Sequence, residues 1–312
     1  MIDYRTLKNW PFPAVEQTYT STDSMFYALA IGLGADPMDE RQLAFVNDTA
    51  PGTPLAVPSM AVILGYSGAW MDDPRCGADY PMIVHGEEEI VVHRPLPGSG
   101  AVVSRHRVTH VVDKGAGRGA VVTFEKELFD KATGEKLATV THTNLCRADG
   151  GFSAGDGITD TAPRSPSRVP QREPDVVCEL ATLPQQALFY RLCADRNPLH
   201  SEPAAARRAG FERPILHGLA TFGVACHALL ACCCGYDPTR LKRMFVRFSA
   251  PVFPGDTIRV EIYRESAGIT FRARVATRDS IVLDFGRAEI ARQAFELLRT
   301  GPRFNSHGAL DI

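Results

Sequence analysis

The chain has almost no excess charge. Its 34 lysines and arginines stand against 36 aspartates and glutamates, for a formal net charge of -2. That argues against a nucleic-acid binder, which depends on a basic surface. No apolar run is long enough to read as a membrane span. The longest, near Gly218 to Cys234, is broken by Thr221 and His227 and reads as a buried helix. The first residues, MIDYRTLKNWPF, lack the apolar core of a signal peptide and an Arg/Ser-rich transit pattern, and the closing HGALDI carries no address or lipidation signal. A cytoplasmic protein is expected, with neither membrane nor nucleic acid as partner. The eight cysteines include no isolated CxxC pair, and no secretory signal precedes them, so a disulfide framework is not expected. Cys232, Cys233 and Cys234 are consecutive and cannot all face one metal from a helix, so they read as small packing residues. The nine histidines include no HExxH pair.

What remains is an ordinary globular composition, 45% hydrophobic and 22% charged. A length of 312 residues suggests about two domains. One segment departs from the globular pattern: Gly150 to Pro174, rich in Gly, Pro and Ser, reads as a linker. It separates residues 1–149 from residues 175–312. The two halves resemble each other. Phe26-Tyr27-Ala28-Leu29 corresponds to Phe189-Tyr190-Arg191-Leu192 at an offset of 163, and Pro95-Leu96-Pro97-Gly98 to Val252-Phe253-Pro254-Gly255 at an offset of 157. Similar offsets in the same order indicate a duplication. Each half reads as a short helix (Asp23 to Leu33; Pro184 to Cys193) and then a longer apolar helix (Pro58 to Met71; Gly218 to Cys234). Alternating strands follow, near Met82–His93, Ala101–Val112, Ala120–Phe129 and Lys136–Cys146 in the first half. In the second they lie near Lys242–Ser249, Thr257–Arg264, Ile269–Ala276 and Ile281–Gln293. Short turns between consecutive strands favour an antiparallel sheet with a helix packed on its face, an α+β architecture repeated twice.

The chemistry concentrates between Phe189 and Gly223. Asp195, Asn197 and His200 fall in one stretch, Asp-Arg-Asn-Pro-Leu-His, and Pro198 ends the preceding helix. A tight turn there aims Asp195 and His200 toward one point. Ser201 is a candidate N-cap for a helix running through Ala209, which Gly210 stops. At Pro214-Ile-Leu-His-Gly218 the second long helix begins. Its first N–H groups are unpaired and carry the positive end of the helix dipole. A carboxylate, an imidazole, an amide and a helix N-terminus are the parts of an acid–base site with an oxyanion donor. Each part also has a plainer reading: Asp195 and Asn197 as turn caps, His200 as a satisfied buried histidine, His217 as structural. In the first half Gly32 and Pro37 occupy the positions of Asp195 and His200, so that half has no equivalent pair and reads as a binding surface.

The stretch resembles the hydratase 2 family, the MaoC-like (R)-specific enoyl-CoA hydratases, which include the hydratase part of the peroxisomal multifunctional enzyme. The matching residues are Tyr190, Arg191, Asp195, Asn197, Pro198 and His200, then Gly210, Pro214 to Leu219, Thr221, Phe222 and Gly223. The resemblance extends to His85-Gly86-Glu87, Arg94 to Gly98 and Asp113-Lys114-Gly115 in the first half. It implies a double hot-dog fold, two repeats each with a long helix wrapped by an antiparallel sheet. It also implies reversible syn hydration of a trans-2-enoyl-CoA to a (3R)-3-hydroxyacyl-CoA, with no metal and no cofactor. Asp195 and His200 would then be the acid–base dyad, Asn197 would orient it, and the Gly218 N–H would hold the thioester oxyanion. Substrate-binding positions would be His85, Gly86, Lys114 (toward a CoA phosphate), Tyr190, Pro198, Leu199 and Phe248. The first half would take the acyl tail. A homodimer is expected by family analogy.

Three rivals are weaker. A hot-dog acyl-CoA thioesterase does not need the complete Asp-x-Asn-Pro-x-His turn. A non-catalytic acyl-CoA-binding subunit does not need Asp195 and His200 at all. A metallohydrolase would need further ligands at a sensible spacing.

Overall fold

The computed structural model describes residues 1–163, 166–193, 195–266 and 268–291. Ten antiparallel strands form one continuous sheet: β1 (Val15–Tyr19), β2 (Ile83–Val92), β3 (Gly100–Asp113), β4 (Ala120–Asp130) and β5 (Lys136–Cys146), then β6 (Val176–Ala181), β7 (Leu241–Phe248), β8 (Thr257–Glu265), β9 (Gly268–Val275) and β10 (Ser280–Ile290). Their spatial order is β1-β3-β4-β5-β2-β7-β10-β9-β8-β6. Adding five to each label of the first half reproduces the second half in mirror order, which is the duplication expressed as topology. The predicted strands all appear, with ends shifted by a residue or two. Only the far end of the one expected over Ile281–Gln293 lies outside the described residues. Strands β1 and β6 were not anticipated; each is short and sits at an edge.

The halves meet where β2 pairs with β7. The run Glu87-Glu88-Glu89 lies on this seam, and the period-two alternation of a strand splits it. Glu87 and Glu89 face outward and accept from Arg247 (2.6 Å) and Arg243 (2.7 Å). Glu88 points inward and is 1% exposed.

Among the described residues six α-helices accompany the sheet: α1 (Tyr4–Lys8), α2 (Ser21–Ala30), α3 (Glu40–Val46), α4 (Gln186–Cys193), α5 (Pro203–Arg208) and α6 (Gly218–Leu229). Helix α2 starts in a capping box between Thr20 and Asp23. The long helix α6 continues into a π turn, Leu230–Cys234, so the predicted span of Gly218 to Cys234 is found. Every side chain from Ala220 to Leu229 is buried. Helix α6 also serves the first half. A Cβ on Gly223 would stand 2.4 Å from Cγ2 of Ile31, so glycine lets α6 press against the loop after α2.

Two expectations fail. The long helix predicted over Pro58 to Met71 is absent; a 3-10 turn, Pro58–Val62, and a short one, Trp70–Asp72, stand in its place. Gly65 and Gly68 adopt left-handed φ angles of 62° and 79°, which end helix propagation. Gly65 is also pinned in place: a Cβ there would sit 2.6 Å from Ser104 Cβ, and Ser104 Oγ donates to the Gly65 carbonyl (2.7 Å). The helix expected from Ser201 to Ala209 is shorter. Ser201 closes the preceding 3-10 turn, Glu202 takes the cap position without a side-chain bond, and Pro203 opens α5. Gly210 ends it with φ of 88°, as anticipated.

Candidate active site

Past α4 the chain turns sharply. Asp195 Oδ1 accepts from the Asn197 N–H (2.9 Å), and Asn197 Oδ1 accepts from the Leu199 N–H (3.0 Å). These successive side-chain-to-backbone turns lead into the 3-10 turn Pro198–His200, with Pro198 at its first position. Asn197 therefore shapes the loop that carries Asp195 and His200. Its own side chain bonds to neither of theirs; its backbone N–H is what meets Asp195 Oδ1. Pro198 is exposed and Leu199 half-buried.

His200 is held from behind. Its Nδ1 lies 2.9 Å from the Ile215 carbonyl. A carbonyl can only accept, so Nδ1 carries the proton and Nε2 presents a bare lone pair. Burial lowers the pKa of this imidazole, against the opposing pull of the Ile215 carbonyl and the Asp195 charge. Nε2 stands 3.9 Å from Asp195 Oδ2, with side chains 9% and 48% exposed. At that distance the two groups do not bond to each other, and one oxygen atom at ~2.8 Å from each fits between them.

His217, which the sequence left as structural, belongs to the same cluster. Its ring stacks on that of His200, centroids 3.7 Å apart and planes 28° from parallel. Its Nε2 donates to the Asp195 carbonyl (3.0 Å), tying the Asp195–His200 loop to the start of α6. Burial and then the neighbouring His200 lower its pKa to about 3, so the ring is neutral. Its buried Nδ1 has no partner among the described residues. Tyr190 packs against His217 with ring centroids 5.0 Å apart and is wholly buried, so it supports this histidine from the core rather than lining an open site.

Helix α6 begins at Gly218 without a side-chain cap. The first backbone N–H to bond back is that of Thr221, onto the His217 carbonyl (3.1 Å). The N–H groups of Gly218, Leu219 and Ala220 are thus left to a ligand, at the positive end of the dipole. A Cβ on Gly218 would lie 3.2 Å from the Phe248 ring. Phe248 in turn lies 4.5 Å from the ring of His85. The structure thus brings His85, Phe248 and Gly218 together. Gly86 occupies a bulge between β2 and β5, where a Cβ would meet Leu145 at 2.8 Å; its visible role is packing. Lys114 lies on the exposed turn after β3, its N–H bonded to the Gly119 carbonyl, and touches none of these residues.

The first half also holds a polar cluster that sequence reasoning missed. Glu88 Oε2 receives both His85 Nε2 and His142 Nδ1, each at 3.0 Å. The two rings stack at 3.7 Å. Burial pushes the carboxyl of Glu88 up, but His142 and His85 outweigh it and hold the pKa at about 2. Burial, with His142 adding to it, takes His85 down to about 4. The available signal was the spacing His85-x-x-Glu88 on a strand, but only pairing with β5 brings in His142. Two sets of side chains are grouped closely enough to hold a metal ion: His85, Glu88 and His142; and Asp195, His200 and His217. The first set is already internally hydrogen-bonded. In the second, one nitrogen of each imidazole is committed to a carbonyl.

Comparison with known proteins agrees over both halves. Residues 17–148 match the MFE-2 hydratase 2 N-terminal domain, and residues 165–284 match the MaoC like domain. The chain is 36% identical over 281 residues to the Arabidopsis thaliana protein named enoyl-CoA hydratase 2, peroxisomal, covering 87% of this chain and 90% of that one. It is 37% identical over 279 residues to the Mycobacterium tuberculosis 3-hydroxyacyl-thioester dehydratase Y, covering 87% and 92%. A crystal structure of a MaoC-like dehydratase from Phytophthora capsici superposes with a TM-score of 0.81 at 31% identity, covering 94% of this chain and all of that one. The chain, with its repeated sheet and shared central helix, belongs to the MaoC-like hydratase 2 family and has its double hot-dog fold.

Proposed function

We propose that this protein catalyses the reversible hydration of trans-2-enoyl-CoA thioesters to (3R)-3-hydroxyacyl-CoA. The observation that carries this reading is the bare Nε2 of His200 facing Asp195 Oδ2 at 3.9 Å, beside the uncapped start of α6. A water oxygen gripped by both groups is positioned for attack on C3. As the O–C3 bond forms, His200 Nε2 takes a proton from the water and the C2=C3 electrons move toward the thioester oxygen. The Gly218 N–H stabilises that oxygen; one such donor is worth about 3 kcal/mol. A proton is then returned to C2. Water and proton donor share one side of the substrate, so the addition is syn.

The acyl tail enters the first half, where the 3-10 turn Pro58–Val62 stands in the place that α6 takes in the second half. His85 and Phe248, packed beside Gly218, border that entry; Pro198, Leu199 and Lys114 are proposed as further substrate contacts, Lys114 toward a CoA phosphate. The names of the relatives support an acyl-thioester substrate. Among the described residues no helix is long and apolar enough to cross a membrane. A cytoplasmic homodimer completes the proposal; light scattering in solution checks the oligomer.

The test is loss of enoyl-thioester absorbance with short and long trans-2-enoyl-CoAs, with chiral analysis of the product. Wild type should give the (3R) alcohol. Asp195→Asn and His200→Gln should each lose about a hundredfold or more in kcat. Release of free CoA thiol instead of hydration overturns the reading in favour of a thioesterase. Binding without turnover leaves a carrier.

A further inference from the structure

We propose that the first half receives an acyl chain bearing a neutral oxygen function, a hydroxyl on the tail beyond the reacting carbons, held between Ser67 and His106. This rests on the hydratase reading and adds a substrate class to it.

One cavity is lined by Leu219, one residue past the proposed oxyanion donor, and by Tyr66. Val62, Phe124 and Val140 line it, as an alkyl chain would require, together with Ser67, Glu88, His106, Lys126 and His142. Most of the polar groups there are already committed. Lys126 Nζ spends its three N–H bonds on the carbonyls of Ala61 (2.8 Å), Val62 (2.9 Å) and Leu64 (2.7 Å). Glu88 receives His85 and His142, and the other nitrogen of His142 meets Asn144 Oδ1 (3.0 Å).

Two atoms remain. Ser67 Oγ and His106 Nδ1 are buried and have no hydrogen-bond partner among the described residues. Both residues line this one cavity. Burial, with the Lys126 charge adding to it, takes His106 down to about 4, so the ring is neutral. Buried polar atoms are nearly always paired, and a site that leaves them to the ligand rejects a ligand that cannot pair them. A hydroxyl both donates and accepts, and so serves a serine and a neutral imidazole together. A carboxylate does not suit the cavity: Glu88 carries the same charge, and Lys126 has no N–H left to offer.

The test compares a medium-chain trans-2-enoyl-CoA with derivatives bearing a single hydroxyl moved carbon by carbon along the tail. Two quantities are read: kcat/KM for hydration, and the calorimetric Kd of the matching saturated acyl-CoAs. At one hydroxyl position both should favour the hydroxylated chain by about tenfold or more. Ser67→Ala and His106→Leu should each remove most of that preference. A folding fault would lower both substrates together and leave their ratio intact. The proposal is overturned if the plain chain equals or beats every hydroxylated derivative, or if the preference survives both substitutions. Failure of the hydratase reading looks different: no substrate is hydrated, while the Kd comparison still reads the cavity.

Discussion

At the scale of single residues, His217 does more than precede a glycine. It is 2% exposed, stacked on His200 and bonded to the Asp195 backbone. His217→Phe keeps the stack and removes the bond, leaving a carbonyl with no partner, a loss of about 1–3 kcal/mol. If that bond positions the loop, kcat should also fall about tenfold with KM nearly unchanged; a purely structural residue would lower the urea midpoint by that loss alone and spare kcat. The pH profile follows from His200. In the proposed mechanism its neutral form accepts the proton, and its folded pKa lies below the ordinary 6.5. Activity should therefore hold as pH falls through 6.5 and fail only on the acid side of it, in kcat/KM measured from pH 8 downward. An acid limb centred above 6.5 would contradict the bare-Nε2 assignment.

Among the elements, the segment from Pro58 to Asp72 is the most informative. It occupies the place of the long helix in the first repeat, yet Gly65 and Gly68 stop it after a single 3-10 turn. Its open carbonyls need donors, and the Lys126 ammonium supplies all three. Burial pushes this ammonium down to about 7, with Glu88 pulling the other way. Lys126→Met preserves the volume but leaves three acceptors unpaired. We expect a loss on the order of 3 kcal/mol in urea unfolding, and weakened binding of long acyl chains before short ones. No change in the midpoint would mean that the segment finds other donors.

For the whole molecule, burial makes histidine a liability in acid. His217 is lowered to about 3 and His227 to about 4, each chiefly by burial. Both are neutral in the folded and unfolded chain above pH 6.5 and contribute nothing there. Below 6.5 the unfolded chain takes up protons that the folded chain refuses, so stability falls as pH drops toward the folded values. Each adds up to about 1.4 kcal/mol per pH unit over that window. The thermal midpoint should decline steeply from pH 6.5 toward 4.5; a flat profile would mean that these rings reach water. The seam between the repeats is less sensitive, because Glu87–Arg247 and Glu89–Arg243 are partly exposed pairs worth about 0–1 kcal/mol each.

The sequence by itself determined the duplication, eight of the ten strands, the start of α6 and the turn that joins Asp195 to His200. These are local matters: alternation, proline, and glycine at helix ends leave their mark within a few residues. It also supported the family on motif residues spread over most of the chain. Only the tertiary structure decided the rest. The missing helix after Pro58 depends on Ser104 and Lys126, which lie on two other strands. The edge strands β1 and β6 are too short to stand out in a pattern. Glu88 is the middle one of three consecutive glutamates, and only the pairing of β2 with β5 and β7 sets it apart. His217 gained its place at the site because α6 carries its ring onto that of His200. Ser67 and His106 have meaning only as neighbours across a cavity. Contacts between distant segments depend on how the sheet closes, and no local spacing records that.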